Sequence, residues 1–269
     1  MSATIYKHEF LARMKSVLIW SVSLTALVFF YFSIFPSFAE EAAKMQQLMA
    51  NFPPALLEAF GMNKVDLSTL MGFYGFLFGF VQLCLAIQAG NYGFGLVSIE
   101  ENELTADFLL SKPVSRAQVL TSKLLAALTS LLLTMLVVTV ASAVSIALFN
   151  SGREYTPSTL ALVLVSGVIL QLFFLSVGLV ISLLVKRVRS VTPYSLGLGF
   201  GAYVLAAFSG ILGEVKLEYI TPFKHLDPIY IIQHAAFDTP LLLLNAAVTL
   251  GSLAVSYWLY LRRDIPAVS

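Results

Sequence analysis

Six long stretches of the chain are apolar and carry no charged side chain. Each reaches the length of about 20 residues that a helix needs to cross the hydrocarbon core of a bilayer. None of them contains Asp, Glu, Lys, Arg or His. The stretches are residues 17–38, 68–98, 124–149, 158–185, 191–213 and 241–261. This pattern predicts an all-α membrane protein with six transmembrane helices.

The Lys and Arg residues between these stretches indicate how the helices are oriented. With six crossings both termini lie on one side of the membrane, and that side carries eleven of the 16 Lys and Arg residues. Positively charged loops are typical of the cytoplasmic side. We therefore expect a multi-pass protein of the cell membrane with both termini in the cytoplasm.

The end of the first stretch has the pattern of a signal-peptide cleavage site, because the small residues Ser37 and Ala39 flank Phe38. The apolar run 17–35 is, however, longer than the core of about 7–15 residues that such peptides have. We therefore interpret the first stretch as an uncleaved span.

Residues 4–15, which precede the first span, have the pattern of an amphipathic helix. Tyr6, Phe10 and Met14 fall on one side of this helix, opposite Lys7 and Lys15. A helix of this kind lies in the plane of the lipid headgroups. We therefore expect an interfacial helix, followed by a turn into the first span.

Two longer connections, residues 39–67 and 214–240, carry apolar side chains at helical spacing, interrupted by prolines. Soluble loops rarely expose this much apolar surface. The pattern predicts short helices that lie against the outer leaflet, and solvated loops are the alternative.

Small and amide residues within the spans predict contacts between helices. The glycine pairs Gly75/Gly79 and Gly197/Gly201 have the spacing that permits close approach of two membrane helices. The few amide side chains in the spans are more typical of hydrogen bonds between helices than of substrate contacts.

The connection between the second and third spans, residues 99–123, is the most structured polar segment. Its acidic residues are grouped as in the first turn of a helix, where negative charge is favourable. Pro113 ends that short helix, and Ser115 with Gln118 forms a capping-box pattern that begins the next one. Such a helix–break–helix in a tight loop is typical of a docking surface.

Composition excludes several classes of function. Hydrophobic residues make up 58% of the chain and charged residues only 12%, and the net charge of +1 leaves no basic surplus for nucleic acid. The phosphate-binding loop that requires a Gly-Lys pair is missing. Spans without ionisable residues also disfavour intramembrane proteolysis and proton-coupled transport. We expect no metal or cofactor on this chain.

The 99–123 loop resembles that of type-two ATP-binding cassette (ABC) exporter permeases. That family combines an acidic turn, Leu-Thr, a Leu pair, Pro-Val-Ser-Arg and a Lys. The corresponding residues are Glu100, Glu101, Glu103, Leu104-Thr105, Leu109-Leu110, Pro113–Arg116 and Lys123. The order of the segments is also similar, as is an outer segment, Tyr219–Pro228, before the last span.

The resemblance implies a permease without ATPase activity of its own. Residues 99–112 are similar to the helix that docks on a separate nucleotide-binding subunit, which would hold ATP and Mg²⁺, and residues 4–15 are similar to the connecting helix. The residues implied in coupling to the ATPase are Glu100, Glu101, Glu103, Leu104, Asp107, Phe108 and Arg116.

The resemblance further implies a second permease chain, identical or related, and a central cleft faced by the second and fifth spans. The implied cleft residues are Phe80, Gln82, Gln88, Asn91, Phe200 and Tyr203. Their aromatic and amide side chains suit a drug, an antimicrobial peptide or a lipid-like molecule. The alternatives are a structural or assembly membrane protein without transport, and a sodium-coupled carrier, in which an internal repeat would be expected.

Overall fold

In a computed structural model of the chain, all secondary-structure elements of the described residues are helices. Six of these helices are long and apolar enough to cross a membrane. The described residues are 2–41, 44, 51–59, 66–103, 114–150, 152–185, 188, 190–211 and 217–262. The long helices are α1 (Ala3–Glu40), α3 (Leu70–Glu103), α4 (Arg116–Phe149), α5 (Pro157–Leu184), α6 (Val191–Ile211) and α9 (Thr239–Arg262). The prediction of six spans is confirmed.

Shorter helices occur in the two longer connections. They are α2 (Pro54–Ala59), a 3₁₀ turn (Leu217–Tyr219), α7 (Pro222–His225) and α8 (Pro228–His234). Helix α8 begins at Pro228 and is capped by Asp227, whose carboxylate accepts a hydrogen bond of 2.9 Å from the amide of Ile229. Short helices are therefore present in both connections, and 14 of the 29 residues of the 39–67 connection lie outside the described residues. Their place against the outer leaflet stays a prediction.

Residues 4–15 do not form a separate interfacial helix. Helix α1 continues from Ala3 to Glu40, so the predicted turn into the first span is wrong. The predicted apolar side of this segment packs along α4, where the Tyr6 hydroxyl donates a hydrogen bond of 3.1 Å to the Thr129 hydroxyl. Because α4 extends alongside this segment, it partly covers the apolar stripe that we assigned to the headgroup region.

Helix α3 lies at the centre of the bundle, between α5 and α6. Its backbone comes so close to α5 that a Cβ atom on Gly93 would collide with the Leu175 carbonyl group. A Cβ atom on Gly178 of α5 would lie 3.2 Å from the Gly90 carbonyl oxygen. Glycines therefore permit the close packing of α3 on α5.

The glycine pairs singled out in the sequence have a different environment. No heavy atom of the described residues lies within 4 Å of the Cβ position on Gly79, Gly197 or Gly201, apart from those of the glycine's own helix and neighbours. Gly75 does face a neighbour, the flexible side chain of Ile232 in α8. Close helix approach within this chain therefore depends on Gly93 and Gly178 rather than on the two predicted pairs.

We expect Gly93→Ala to destabilise the chain by about 1–3 kcal/mol, the usual range for overpacking a close contact. The added methyl group meets the backbone of α5, which cannot rotate away as a side chain would. The matched control is Gly251→Ala in α9, where the added Cβ would lie more than 4 Å from every described atom outside its own helix and neighbours. Thermal melting in detergent should show a lower midpoint for the first variant only, and equal midpoints would contradict this account of the α3–α5 contact.

Candidate functional site

The side chain of Gln82 joins the middle of the bundle to the outer segment. It is 1% exposed, and its Nε2 atom donates hydrogen bonds to the Ser166 hydroxyl of α5 (3.0 Å) and to the Leu226 carbonyl oxygen (2.9 Å). Leu226 follows α7, so this amide holds the outer segment against α3 and α5. The position of the outer segment is therefore set by a polar contact at membrane depth.

A pocket of about 80 Å³ lies beside Gln82, between α3, α6 and the outer segment. The residues around it are Gly75, Phe76, Gly79, Phe80, Gln82, Tyr203, Ala206, Ala207, Phe223, Lys224, Asp227, Pro228 and Ile229. Sites for drug-sized ligands enclose roughly 300–1,000 Å³. The described part of this chain therefore encloses only a fraction of such a ligand.

Aromatic rings form much of the pocket wall. The ring centroids of Phe80 and Tyr203 are 6.5 Å apart, and the Tyr203 ring meets the Phe223 ring edge-to-face at 5.4 Å. Tyr31 of α1 extends this row, with its centroid 6.3 Å from that of Phe80. These rings present an apolar surface with hydroxyl groups along it.

An ion pair lies at the same pocket. The Lys224 ammonium group is 3.1 Å from the Asp227 carboxylate, and both side chains are 22% exposed. An apolar wall beside a partly exposed cation and anion can bind an amphipathic molecule through its apolar and polar parts together.

Three of the predicted cleft residues, Phe80, Gln82 and Tyr203, lie together at this pocket. Gln88 is fully buried elsewhere and donates a hydrogen bond of 2.9 Å to Thr134 of α4. Asn91 accepts a hydrogen bond of 2.8 Å from Ser195 of α6. These two amides thus form hydrogen bonds between helices. Their role in lining a cleft stays a prediction.

The other predicted cleft residue, Phe200, projects from α6 with 56% of its surface exposed. The sequence analysis did not single out Lys224 and Asp227. The signal that could have identified them is the segment Tyr219–Pro228, in which the two charges lie three residues apart.

The predicted coupling residues lie at and between the ends of α3 and α4. Glu100, Glu101 and Glu103 belong to the last turns of α3, so their assignment to the first turn of a short helix is wrong. Leu104, Asp107 and Phe108 lie outside the described residues, and Arg116 is the first residue of α4. Helix α3 is about 50 Å long at 1.5 Å per residue, far longer than a bilayer core, so it carries the acidic residues beyond the span.

The capping box at the start of α4 is confirmed. The amide of Gln118 donates to the Ser115 hydroxyl, and the amide of Ser115 donates to the Gln118 side chain, both at 3.2 Å. This reciprocal pair begins α4 within the 99–123 loop, shortly after residues 99–112, the part of it expected to dock on the ATPase.

The six long apolar helices define a multi-pass membrane protein. The profile of the ABC-2 family transporter proteins matches residues 3–265. The chain therefore belongs to the ABC-2 type permease family, as the 99–123 loop predicted. It is a membrane permease subunit of an ABC transporter, and permease subunits of this family are not themselves catalytic. No curated protein matches the chain.

His225 is a titratable group within the outer segment. Burial lowers its pKa below the ordinary value, and hydrogen bonding to the Tyr219 and Glu218 backbone together with the charge of Asp238 opposes this shift. The ring is 3% exposed, with Nε2 3.3 Å from the Tyr219 carbonyl oxygen. The neutral imidazole is therefore the form that packs well in this segment.

We expect the outer segment to loosen as the pH falls below about 6.5, the ordinary pKa of histidine. Between that value and the lowered pKa of the packed state, the detached segment binds more protons than the packed one, so the stability present at neutral pH is lost on acidification. Hydrogen exchange of residues 217–234, corrected for intrinsic rates, should be faster at pH 5 than at pH 7.5.

The variant His225→Asn should lose this pH dependence. His234→Asn is the matched control, because His234 is an exposed histidine of the neighbouring helix α8. An unchanged pH dependence in His225→Asn would show that a different group is responsible.

Proposed function

We propose that this permease exports an amphipathic molecule, a drug, an antimicrobial peptide or a lipid-like compound, with energy from an ATPase on a separate chain. The pocket beside Gln82, which we call the outer pocket, carries this proposal. Its aromatic wall, its buried amide and its Lys224–Asp227 pair complement a molecule that has apolar and polar parts.

The pocket also supports a second permease chain. Its small volume leaves most of a drug-sized ligand uncovered, and the helix faces at Gly79, Gly197 and Gly201 are open within the described residues. A second chain, identical or related, placed on this side of α3 and α6 would complete the enclosure.

The docking of an ATPase subunit is supported at the other end of the bundle. Glu100, Glu101 and Glu103 are at the carboxyl end of α3, where the helix dipole disfavours negative charge. Basic groups on a partner surface would offset this cost. We expect the ATPase, with its ATP and Mg²⁺, to bind at the connection between α3 and α4 and on the cytoplasmic side.

The orientation is tested by cysteine labelling of a Cys84→Ala background. Single cysteines at Ala3 and Ser190 should resist an impermeant thiol reagent in intact cells, because the side that carries eleven of the 16 Lys and Arg residues is expected to be cytoplasmic. A cysteine at the exposed position Glu154 should be labelled. Labelling at Ala3 or Ser190 before the cells are opened would contradict the proposed topology.

The function is tested with the permease purified together with its ATPase subunit and placed in proteoliposomes. Three probes cover the proposed substrates: a short-chain phosphatidylcholine, a cationic amphipathic peptide and a cationic dye. We expect at least one to stimulate ATP hydrolysis by the complex, while the permease chain alone hydrolyses no ATP.

Tyr203→Ala should raise the half-maximal concentration of the stimulating probe about tenfold, which corresponds to the loss of about 1.4 kcal/mol of binding free energy. Leu205→Ala is the matched control, because Leu205 lies on the same helix and is exposed away from the pocket lining. If both substitutions changed the half-maximal concentration equally, the pocket would not be the site that binds the probe. If none of the probes stimulated ATP hydrolysis, the proposed substrate class would be contradicted.

A further inference from the structure

The ends of α1, α3 and α4 are joined by a group of charges, one buried and two partly buried, remote from the outer pocket. Lys123 of α4 is 2% exposed, and its ammonium group donates a hydrogen bond of 2.7 Å to the Leu96 carbonyl oxygen of α3. The same ammonium group is 3.6 Å from the Glu9 carboxylate of α1. One side chain on α4 thus contacts both of the other helices.

Glu9 and its neighbours add further ties between α1 and α3. The second carboxylate oxygen of Glu9 pairs with the Arg13 guanidinium group at 2.6 Å. That guanidinium group lies 5.8 Å from the centroid of the Tyr92 ring of α3, and the Tyr92 hydroxyl donates to the Ser16 hydroxyl at 3.2 Å. We call Glu9, Arg13, Tyr92, Leu96 and Lys123 the charged clasp.

The charged clasp lies close to the connection between α3 and α4. Leu96 is seven residues before the end of α3 at Glu103, and Lys123 is seven residues after the start of α4 at Arg116. Seven residues of helix span about 10 Å. The clasp therefore joins the two helices that lead to and from this connection, and it adds α1 to them.

The apolar contacts between α1 and α4 do not by themselves prevent the helices from sliding. Apolar surfaces pack in several registers, whereas a buried ion pair with a carbonyl ligand is satisfied in only one. Lys123 is the member of the clasp that contacts all three helices. Its loss would leave Glu9 without its partner on α4, while the apolar contacts and the hydrogen bonds Tyr6–Thr129 and Ser2–Ser122 remain.

We propose that Lys123 is a positioning residue that makes α1 move together with the α3–α4 connection when the transporter works. This inference rests on the proposed function, in which an ATPase subunit docks at that connection. Movement of the connection would then reach α1, and through α1 the aromatic row that begins at Tyr31 beside the outer pocket.

The test uses Lys123→Met in the Cys84→Ala background, with and without a disulfide that replaces the lost tie. Ser2 and Ser122 suit this disulfide, since the Ser2 amide nitrogen is 2.7 Å from the Ser122 hydroxyl oxygen. The matched control is Lys44→Met, which removes a lysine from an exposed ion pair with Glu41. Complex recovery, ATP hydrolysis and transport of a fluorescent lysophosphatidylcholine are measured in proteoliposomes.

We expect Lys123→Met to keep complex recovery and ATP hydrolysis within about twofold, while the amount of probe transported per ATP falls at least fivefold. The Ser2→Cys/Ser122→Cys disulfide should restore that ratio, and reduction should abolish the rescue. Lys44→Met should behave as the parent. An unchanged ratio in Lys123→Met, or a lowered ratio that the disulfide does not restore, would overturn the inference.

Two further measurements keep the test decisive. If Lys123→Met fails to fold, Glu9→Gln/Lys123→Met removes both charges and leaves no unpaired carboxylate, and the same outcomes apply. If the parent complex does not transport the probe, lysophosphatidylcholine is not a substrate, and this result does not bear on the clasp. The clasp is then tested on the permease chain alone by the rate of Ser2→Cys/Ser122→Cys disulfide formation. That rate should fall several-fold in Lys123→Met but not in Lys44→Met, and equal rates would overturn the inference.

Discussion

The close contact between the backbones of α3 and α5 is the constraint on which the rest of the bundle depends. Gly93 permits this contact because any side chain there would meet the Leu175 carbonyl group. With α5 this near, the Ser166 hydroxyl lies within reach of Gln82, which also binds the Leu226 carbonyl oxygen. The outer segment and its pocket are therefore positioned by a contact made far from them along the chain.

Polar groups at several depths along α3, two side-chain amides and one backbone carbonyl, determine how the helices are arranged. Gln82 binds the outer segment, Gln88 binds α4, and near the end of α3 the Leu96 carbonyl oxygen binds Lys123. An unpaired polar group in a bilayer is costly, so each of these bonds favours one register of the helices. Apolar contacts stabilise the bundle, and these polar contacts select its geometry.

Local sequence patterns predicted the elements well and their surroundings less well. The capping box of Ser115 and Gln118 could be predicted because both partners lie within one helical turn. The amphipathic stripe of residues 4–15 was assigned to lipid headgroups, but the same stripe fits a helix packed on a neighbour. Glu103 was assigned to a first helical turn because acidic residues favour that position, whereas it ends a span that continues beyond the membrane.

The sequence by itself determined that the chain has six spans, that they carry no ionisable residue, and that it belongs to an ABC permease family. The first two properties follow from composition and local order, since a long apolar run in a bilayer satisfies its backbone as a helix. The family was indicated by the resemblance of the 99–123 loop, and the family profile shows it. Only the tertiary structure decided which polar groups meet, as with Gln82 and Leu226, which are 144 residues apart. Similar apolar helix surfaces permit several pairings, and the packing of the whole bundle selects among them.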